Sequence, residues 1–482
     1  MTKMKYSIKL SIIASLLVFV SCEDLVDGDG DINISPNSPT ETGYDKILIT
    51  AEVGQMILQN GESARRAGIF AGTHTGIDRQ HAGYTAYTVT TTDFDDLWDD
   101  VFINSYRNAR FAEDAAIEEG ITGVTIGITQ VLQALSLGTA ASLYGDIPFD
   151  ELVNPEIGNP KFESQVTVYG KIQGLLDEAI GNLAVGTGRP ASGSEVFFDG
   201  DAAAWTEVAY TLKARFYMHT KEYASAYSAA QNGISSAANS MYAPHTDAIE
   251  ASNLNWQFFA NGTRGPDLVV SDFIISRLSP DAGTSPDINQ YRGNAKTNET
   301  ARYNFLFESN SIGFQPNQSP DGFAGQETSE PIVTYQENLL ILAEAGARSV
   351  DFATGLGHLN DFRAFMAGGG YLINPVTTDI QYDAYASTDF DAGGIENVDG
   401  VSPADALLRE ILEERYVTLF GQIEVFNDVR RTLNESIARV QVTPNTGTEL
   451  PQRFIYPQSE IDRNTNVPDP LPTLFTVTEV NQ

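Results

Sequence analysis

The chain has 482 residues, a net charge of −35 and a single cysteine, Cys22. So acidic a chain is repelled by nucleic acid and by anionic lipid head groups, and one cysteine allows neither an internal disulfide nor a Cys/His zinc cluster. The length suits one large domain or two closely packed ones.

At the N-terminus Lys3, Lys5 and Lys9 precede the apolar run "LSIIASLLVFV", with small Ser21 directly before Cys22. The run is too short to span a bilayer, which takes about 20 residues, but it suits a secretory signal. The arrangement resembles a bacterial lipobox, in which the cysteine is lipidated and becomes the new N-terminus. Phe19 stands where leucine is commoner. An ordinary cleaved signal with an incidental cysteine is the alternative. The expectation is a signal peptide over 1–21 and a tethered chain from Cys22, whose triacyl anchor exceeds the two signals that stable attachment needs. Loss of the three lysines moves the net charge to −38.

Glu23, Asp24, Asp27, Asp29 and Asp31 follow the cysteine and read as a solvated acidic tether over 22–43. Their alternation also resembles a calcium loop, but Ile32 stands where the sharp turn needs glycine and Ser38 where a bidentate glutamate belongs. No metal ligand and no cofactor is assigned.

Beyond residue 44 helical periodicity dominates. Residues 127–144 are expected to pair with 167–184 across the turn-rich "YGDIPFDELVNPEIGNP". Gly200 and Asp201 start a helix whose stripe holds Trp205, Val208, Ala209, Leu212 and Phe216. A second helix, with Tyr223, Tyr227, Ala230 and Ile234 on its stripe, follows so closely that the two must form an antiparallel hairpin. Its "YASAYSAAQNGI" is similar to the second helix of a tetratricopeptide unit. Residues 334–349 pair with 355–366, and Ser402 with Pro403 opens a further helix. Turn-rich segments lie at 28–43, 72–96, 185–203, 243–330 and 367–403. The predicted fold is mostly α, a tetratricopeptide-like helix-pair scaffold with long loop-rich insertions. It is one domain over 44–482, with the scaffold at 44–242 and 331–482 and a loop-rich subdomain at about 243–330.

No histidine pair has zinc-helix spacing, and neither a G-x-S-x-G elbow nor a Walker loop occurs. "AGGGY" follows a helix and reads as a turn, and His219 reads as a packed helix-terminal residue. With 64 acidic residues, a carboxylate pair for glycoside hydrolysis stays open.

Aromatic residues in the loops are more telling, because sugar rings stack on them while hydroxyls bond to neighbouring polar groups. Trp98 and Trp205 lie in helical patterns and read as core. Trp256, in "NLNWQFFANGTRGPD", is surrounded in sequence by Asn253, Asn255, Asn261, Arg264 and Asp267. Trp256, Arg264, Tyr84, Tyr87, Arg79 and His81 are the candidate ligand contacts, chosen by composition and loop placement.

Five stretches in order resemble the SusD/RagB family of outer-membrane lipoproteins: "DINISPNSPT" (31–40), "SLYGDIPFDE" (142–151), "QENLLILAEAGAR" (336–348), "LREILEERYVTLFGQIEVFNDVRR" (408–431) and "FIYPQSEIDRNTNVP" (454–468). "SPDINQYR" (285–292) departs from the aspartate-proline-arginine common in one branch. The acids after Cys22 are similar to export tags of Bacteroidetes surface lipoproteins. Arg415 interrupts an apolar stripe, so it is expected to be buried and paired with an acid such as Asp428 or Glu414, a structural role.

The resemblance implies a noncatalytic, lipid-anchored protein at the outer membrane surface. It would bind a nutrient, usually a glycan, as the lid of a SusC-like TonB-dependent transporter. The competing classes are a lipid-anchored glycoside hydrolase and a structural or adhesin-like surface protein.

Overall fold

The computed structural model describes residues 42–152, 154, 156–279 and 291–482. Cys22, the signal, the acidic tether as far as residue 41, most of "SPDINQYR" and all of "DINISPNSPT" lie outside the described residues. Tyr44–Gln482 forms one compact unit.

The longer helices are α1 (Tyr44–Asn60), α2 (Glu62–Phe70), α3 (Asn108–Glu118), α4 (Val124–Tyr144), α5 (Gln165–Leu183), α6 (Ala202–His219), α7 (Tyr223–Ala230), α8 (Tyr335–Ser349), α9 (Phe352–Ala367), α10 (Pro403–Thr418) and α11 (Glu424–Arg431). From α4 to α9 each packs on the next, which makes three successive helix pairs, and α10 closes against α8 and α9. This is the helix-pair scaffold that the periodicity predicts. Start signals act as expected: the Asp201 carboxylate accepts from the Ala203 and Ala204 N–H groups, and Ser402 Oγ accepts from Asp405 N–H. Among the described residues only α4 is long and apolar enough to cross a membrane, and every one of its residues is buried in the bundle.

The core is tied by ion pairs as well as apolar contacts. The Arg215 Nε and Nη2 atoms donate to Glu337 at 2.6 and 2.5 Å, joining α6 to α8. Glu344 on α8 accepts from Arg431 on α11 at 2.6 and 2.5 Å and from Arg348 at 2.8 Å. Arg415, 1% exposed, donates to both Asp428 oxygens at 2.7 and 3.1 Å. Glu414 instead meets Arg302 and Arg292. His219 is buried between the Tyr169 hydroxyl (2.9 Å) and Glu424 (2.8 Å). Two stretches that resemble the family, 336–348 and 408–431, are therefore bolted to each other. Buried pairs of this kind cost desolvation on folding, so they favour one arrangement of the helices more than they add net stability.

Among the described residues ten short strands form two-stranded antiparallel ladders: β1 (His74–Gly76) with β5 (Leu268–Val270), β2 (Ile147–Pro148) with β3 (Phe162–Glu163), β4 (Met241–Ala243) with β9 (Glu330–Val333), β6 (Thr297–Asn298) with β10 (Gln381–Tyr382), and β7 (Phe307–Asn310) with β8 (Gly313–Pro316). The segment 243–330 thus pairs with strands on both sides of it in the chain. The closing stretch 454–468 seals the "SLYGD" turn: Phe454 N–H donates to Leu143 O and the Tyr456 hydroxyl to Asp146 O, both at 2.8 Å. Trp98 and Trp205 are core, at 6% and 0% exposure.

One core acid is set against another. Glu52 on α1 is fully buried beside Glu195, whose carboxylate already accepts N–H groups from Phe197, Phe198 and Gly200. Burial above all, and then the charge of Glu195, push Glu52 well above the ordinary carboxylate range. A carboxyl that holds its proton only when folded loses stability as pH rises from about 4.3, the unfolded glutamate value, through the folded value. Glu52→Gln is expected to raise the thermal midpoint at pH 7 and to leave it unchanged near pH 4. Scanning calorimetry at the two pH values checks this, and a lower midpoint at pH 7 would refute it.

Candidate loop site at the β1–β5 ladder

The β1–β5 ladder, with His74 opposite Val270 and Gly76 opposite Leu268, brings two distant loops together. The first loop turns into a short helix, Arg79–Thr85, started by Asp78, whose carboxylate accepts from Arg79 N–H. The second carries a helical turn, Leu254–Trp256, that runs on into a π-helical turn, Gln257–Asn261. Asn253 fixes it: its side-chain oxygen accepts from Asn255 and Trp256 N–H, both at 2.9 Å.

Asp267 is the hub. It is fully buried, and its backbone oxygen accepts from Ile77 N–H at 2.8 Å. Its carboxylate takes Arg264 Nε at 2.6 Å, with Arg79 Nε at 3.5 Å and His81 Nδ1 at 3.8 Å. On its other side His81 faces Glu62 of α2 at 3.3 Å. Burial raises the Glu62 carboxyl, but His81, Arg65 and Arg66 together hold it far below the ordinary range. Phe258 meets the His81 ring edge-on at 5.4 Å and lies under the Arg65 guanidinium at 4.6 Å.

Three of the predicted contacts reach solvent here. The Arg79 and Arg264 side chains are 50% and 36% exposed, and Trp256 is half-buried. Two do not. His81 is fully buried and Tyr84 is 3% exposed beneath the Arg66 guanidinium, which lies 4.0 Å from its ring. Burial pushes the Tyr84 hydroxyl up to about 12, so it stays neutral. Both are therefore buried within the candidate site and present almost no exposed surface. Tyr87 stands apart, its ring against Phe70 and Phe475 and its hydroxyl accepting from Asn445 N–H at 3.0 Å. Arg79 and Tyr87 both adopt left-handed backbone, at φ +48 and +55. Such strain persists only where the surroundings hold it, and it gathers at binding loops.

Sequence reasoning passed over Glu62 and Arg65; the only signal was "GESARRAGIF", a helix start with an acid and paired arginines. The site is a polar, cation-edged surface, with Trp256 half-buried on the loop that carries Arg264. Its two carboxylates are each paired with guanidinium groups, Asp267 fully buried and Glu62 partly exposed, which suits binding rather than acid–base chemistry. Among the described residues no group of three or more His, Cys, Asp or Glu side chains is placed to hold a metal ion.

A family model described as starch-binding and associating with the outer membrane matches residues 36–457. Solved structures share the fold. A SusD/RagB family protein from Bacteroides thetaiotaomicron matches at 19% identity and a TM-score of 0.65, over 88% of this chain and 95% of its own. A SusD homologue from Parabacteroides distasonis matches at 15% and 0.68, over 92% and 98%. A chitin-binding SusD homologue from Flavobacterium johnsoniae matches at 14% and 0.60, over 90% and 96%. No curated protein matches the sequence.

Proposed function

The chain belongs to the SusD-like family of starch-binding proteins associated with the outer membrane, and on that premise we propose that it captures a nutrient glycan at the cell surface. In this reading Cys22 carries the lipid anchor and the acidic segment after it is the leash. The folded unit is the lid of a SusC-like TonB-dependent transporter, and it binds without catalysis. Arg79, Arg264 and Trp256 touch the sugar, with Asp267, His81 and Tyr84 holding them in place.

The observation that carries the reading is a half-buried tryptophan on the same loop as Arg264, where Arg264 and Arg79, both part-exposed, pair with the buried Asp267 carboxylate. Sugar C–H faces stack on such a ring, and hydroxyls accept from fixed N–H donors. Chitin-binding relatives of the same fold support the ligand class.

The test is calorimetric titration of the chain from residue 23 onward against plant, fungal and host glycans, with the same tubes assayed for new reducing ends. Binding to one glycan class without new ends is expected. Trp256→Ala should weaken that binding about tenfold, near 1.4 kcal/mol. New reducing ends would make the protein an enzyme, and unchanged affinity in Trp256→Ala and Arg264→Ala would remove the site.

A further inference from the structure

A cavity of about 460 Å³ opens among residues that the loop site does not use. It gathers parts of the chain far apart in sequence: Tyr242 from β4, Phe305, the 320–331 loop, Gln336 at the start of α8, and Tyr371 with Ile373 after α9. Its size falls within the range of cavities that hold small organic ligands.

One part of the wall is apolar. Phe305 meets Phe323 and Tyr371 edge-on, each at 6.2 Å, with Ile373 alongside. The other part is polar but uncharged. Gln336, 2% exposed, donates through Nε2 to the Tyr242 hydroxyl at 2.7 Å, and its carbonyl oxygen has no partner among the described residues. Burial pushes the hydroxyls of Tyr242 and Tyr371 up to about 12, so both remain O–H groups. Among the described residues Glu327 is the only charged side chain in the lining, and no basic one lines the cavity.

The wall is also preformed. Asn253, fully buried, donates both amide hydrogens to the backbone oxygens of Phe323 (3.3 Å) and Thr328 (2.8 Å), which pins the 320–331 loop. A cavity held open in this way asks little ordering of itself when it is filled.

We propose that this cavity is a second binding site, for a small uncharged ring ligand with an apolar end and a hydroxyl-bearing end, the chemistry of an aryl glycoside. The apolar end stacks among Phe305, Phe323 and Tyr371. The hydroxyls donate to the Gln336 carbonyl oxygen and accept from the tyrosine hydroxyls. A carboxylate on the ligand would meet Glu327 at the exposed rim and no lining cation among the described residues, so anionic ligands bind more weakly than neutral ones.

The probes are phenyl β-D-glucoside, β-D-galactoside and β-D-mannoside, together with phenyl β-D-glucuronide, titrated against the chain from residue 23 onward. At least one neutral glycoside should bind, the glucuronide at least tenfold more weakly. Ile373→Trp fills the cavity from a half-buried position and should weaken the neutral probe at least tenfold with no loss of thermal midpoint. Ser329→Trp, at the exposed rim, does the same if the first variant fails to fold. Trp256→Ala should leave the probe's affinity unchanged. No binding by any neutral probe, equal binding of the glucuronide, or loss through Trp256→Ala with Ile373→Trp intact would overturn the proposal.

Discussion

Glu344→Gln is expected to lower the stability of the folded chain by about 3–5 kcal/mol, the cost of leaving buried charge uncompensated. Glu344 is fully buried and accepts from Arg431 and Arg348, and Arg415 Nε lies 3.6 Å away. A neutral amide in its place leaves these guanidinium groups facing one another, with Asp428 as the buried acid still between Arg415 and Arg431 and Glu435 reaching Arg348 only from a partly exposed position. Burial raises the Glu344 carboxyl, but the arginines, Arg431 foremost, bring it down to about 2. A depressed carboxyl contributes its stability above the unfolded value of about 4.3 and loses it as pH falls through the folded value. The gap between parent and variant should therefore be full at pH 7 and narrow between pH 4 and pH 2. Urea unfolding at several pH values measures it, with Glu435→Gln as control. Glu435 pairs with Arg348 while 30% exposed, so its loss should cost under about 1 kcal/mol. Equal effects from the two variants would mean that the buried network is not the bolt described here.

The second large effect is steric. Gly54→Ala should destabilise the protein by about 2 kcal/mol or more, the scale of overpacking, although alanine favours a helix by about 1 kcal/mol over glycine. A Cβ at Gly54 would lie 2.1 Å from the backbone oxygen of Asn104 and 2.6 Å from its carbonyl carbon. A backbone atom inside a helix cannot step aside as a side chain can. Asn104 belongs to the π-helical stretch Asp100–Arg107, so the glycine is what lets α1 lie against that widened turn. Gly170 on α5 gives the opposite result, since a Cβ there meets nothing within 4 Å. Gly170→Ala should gain about 0.5–1 kcal/mol. Thermal unfolding of the two variants side by side decides the matter; losses of similar size would refute the contact argument.

Much of the scaffold was legible because its signals are local. Helix stripes, the Asp201 and Ser402 caps and the short connections are properties of neighbouring residues, and they fixed which helices pair. Arg415 was legible as a buried, paired cation because it breaks an apolar stripe, and the structure gives it Asp428. The loop site was legible in part. Residue types point to Trp256, Arg264 and Arg79, which the fold leaves partly exposed, yet nothing local separates an exposed tyrosine from one under an arginine, so the burial of His81 and Tyr84 is not legible in the sequence. The three-residue strands carry no periodicity, and so the β1–β5 ladder that assembles the site was invisible. Both π-helical turns were hidden as well, since their spacing differs from an ordinary helix by less than one residue per turn.

The ladders have a consequence for how the chain becomes folded. His74 pairs with Val270, Gln381 with Asn298, and Phe454 donates to Leu143. Contacts of such long sequence separation pay loop-closure entropy before they return anything, and they slow folding. The helix pairs can form as the chain emerges, but the aromatic cluster of Trp98, Tyr144 and Phe94 stays uncovered until Phe454 and Tyr456 arrive. Until those two residues are placed the cluster keeps an apolar face open, so the folding of this region waits on 454–456.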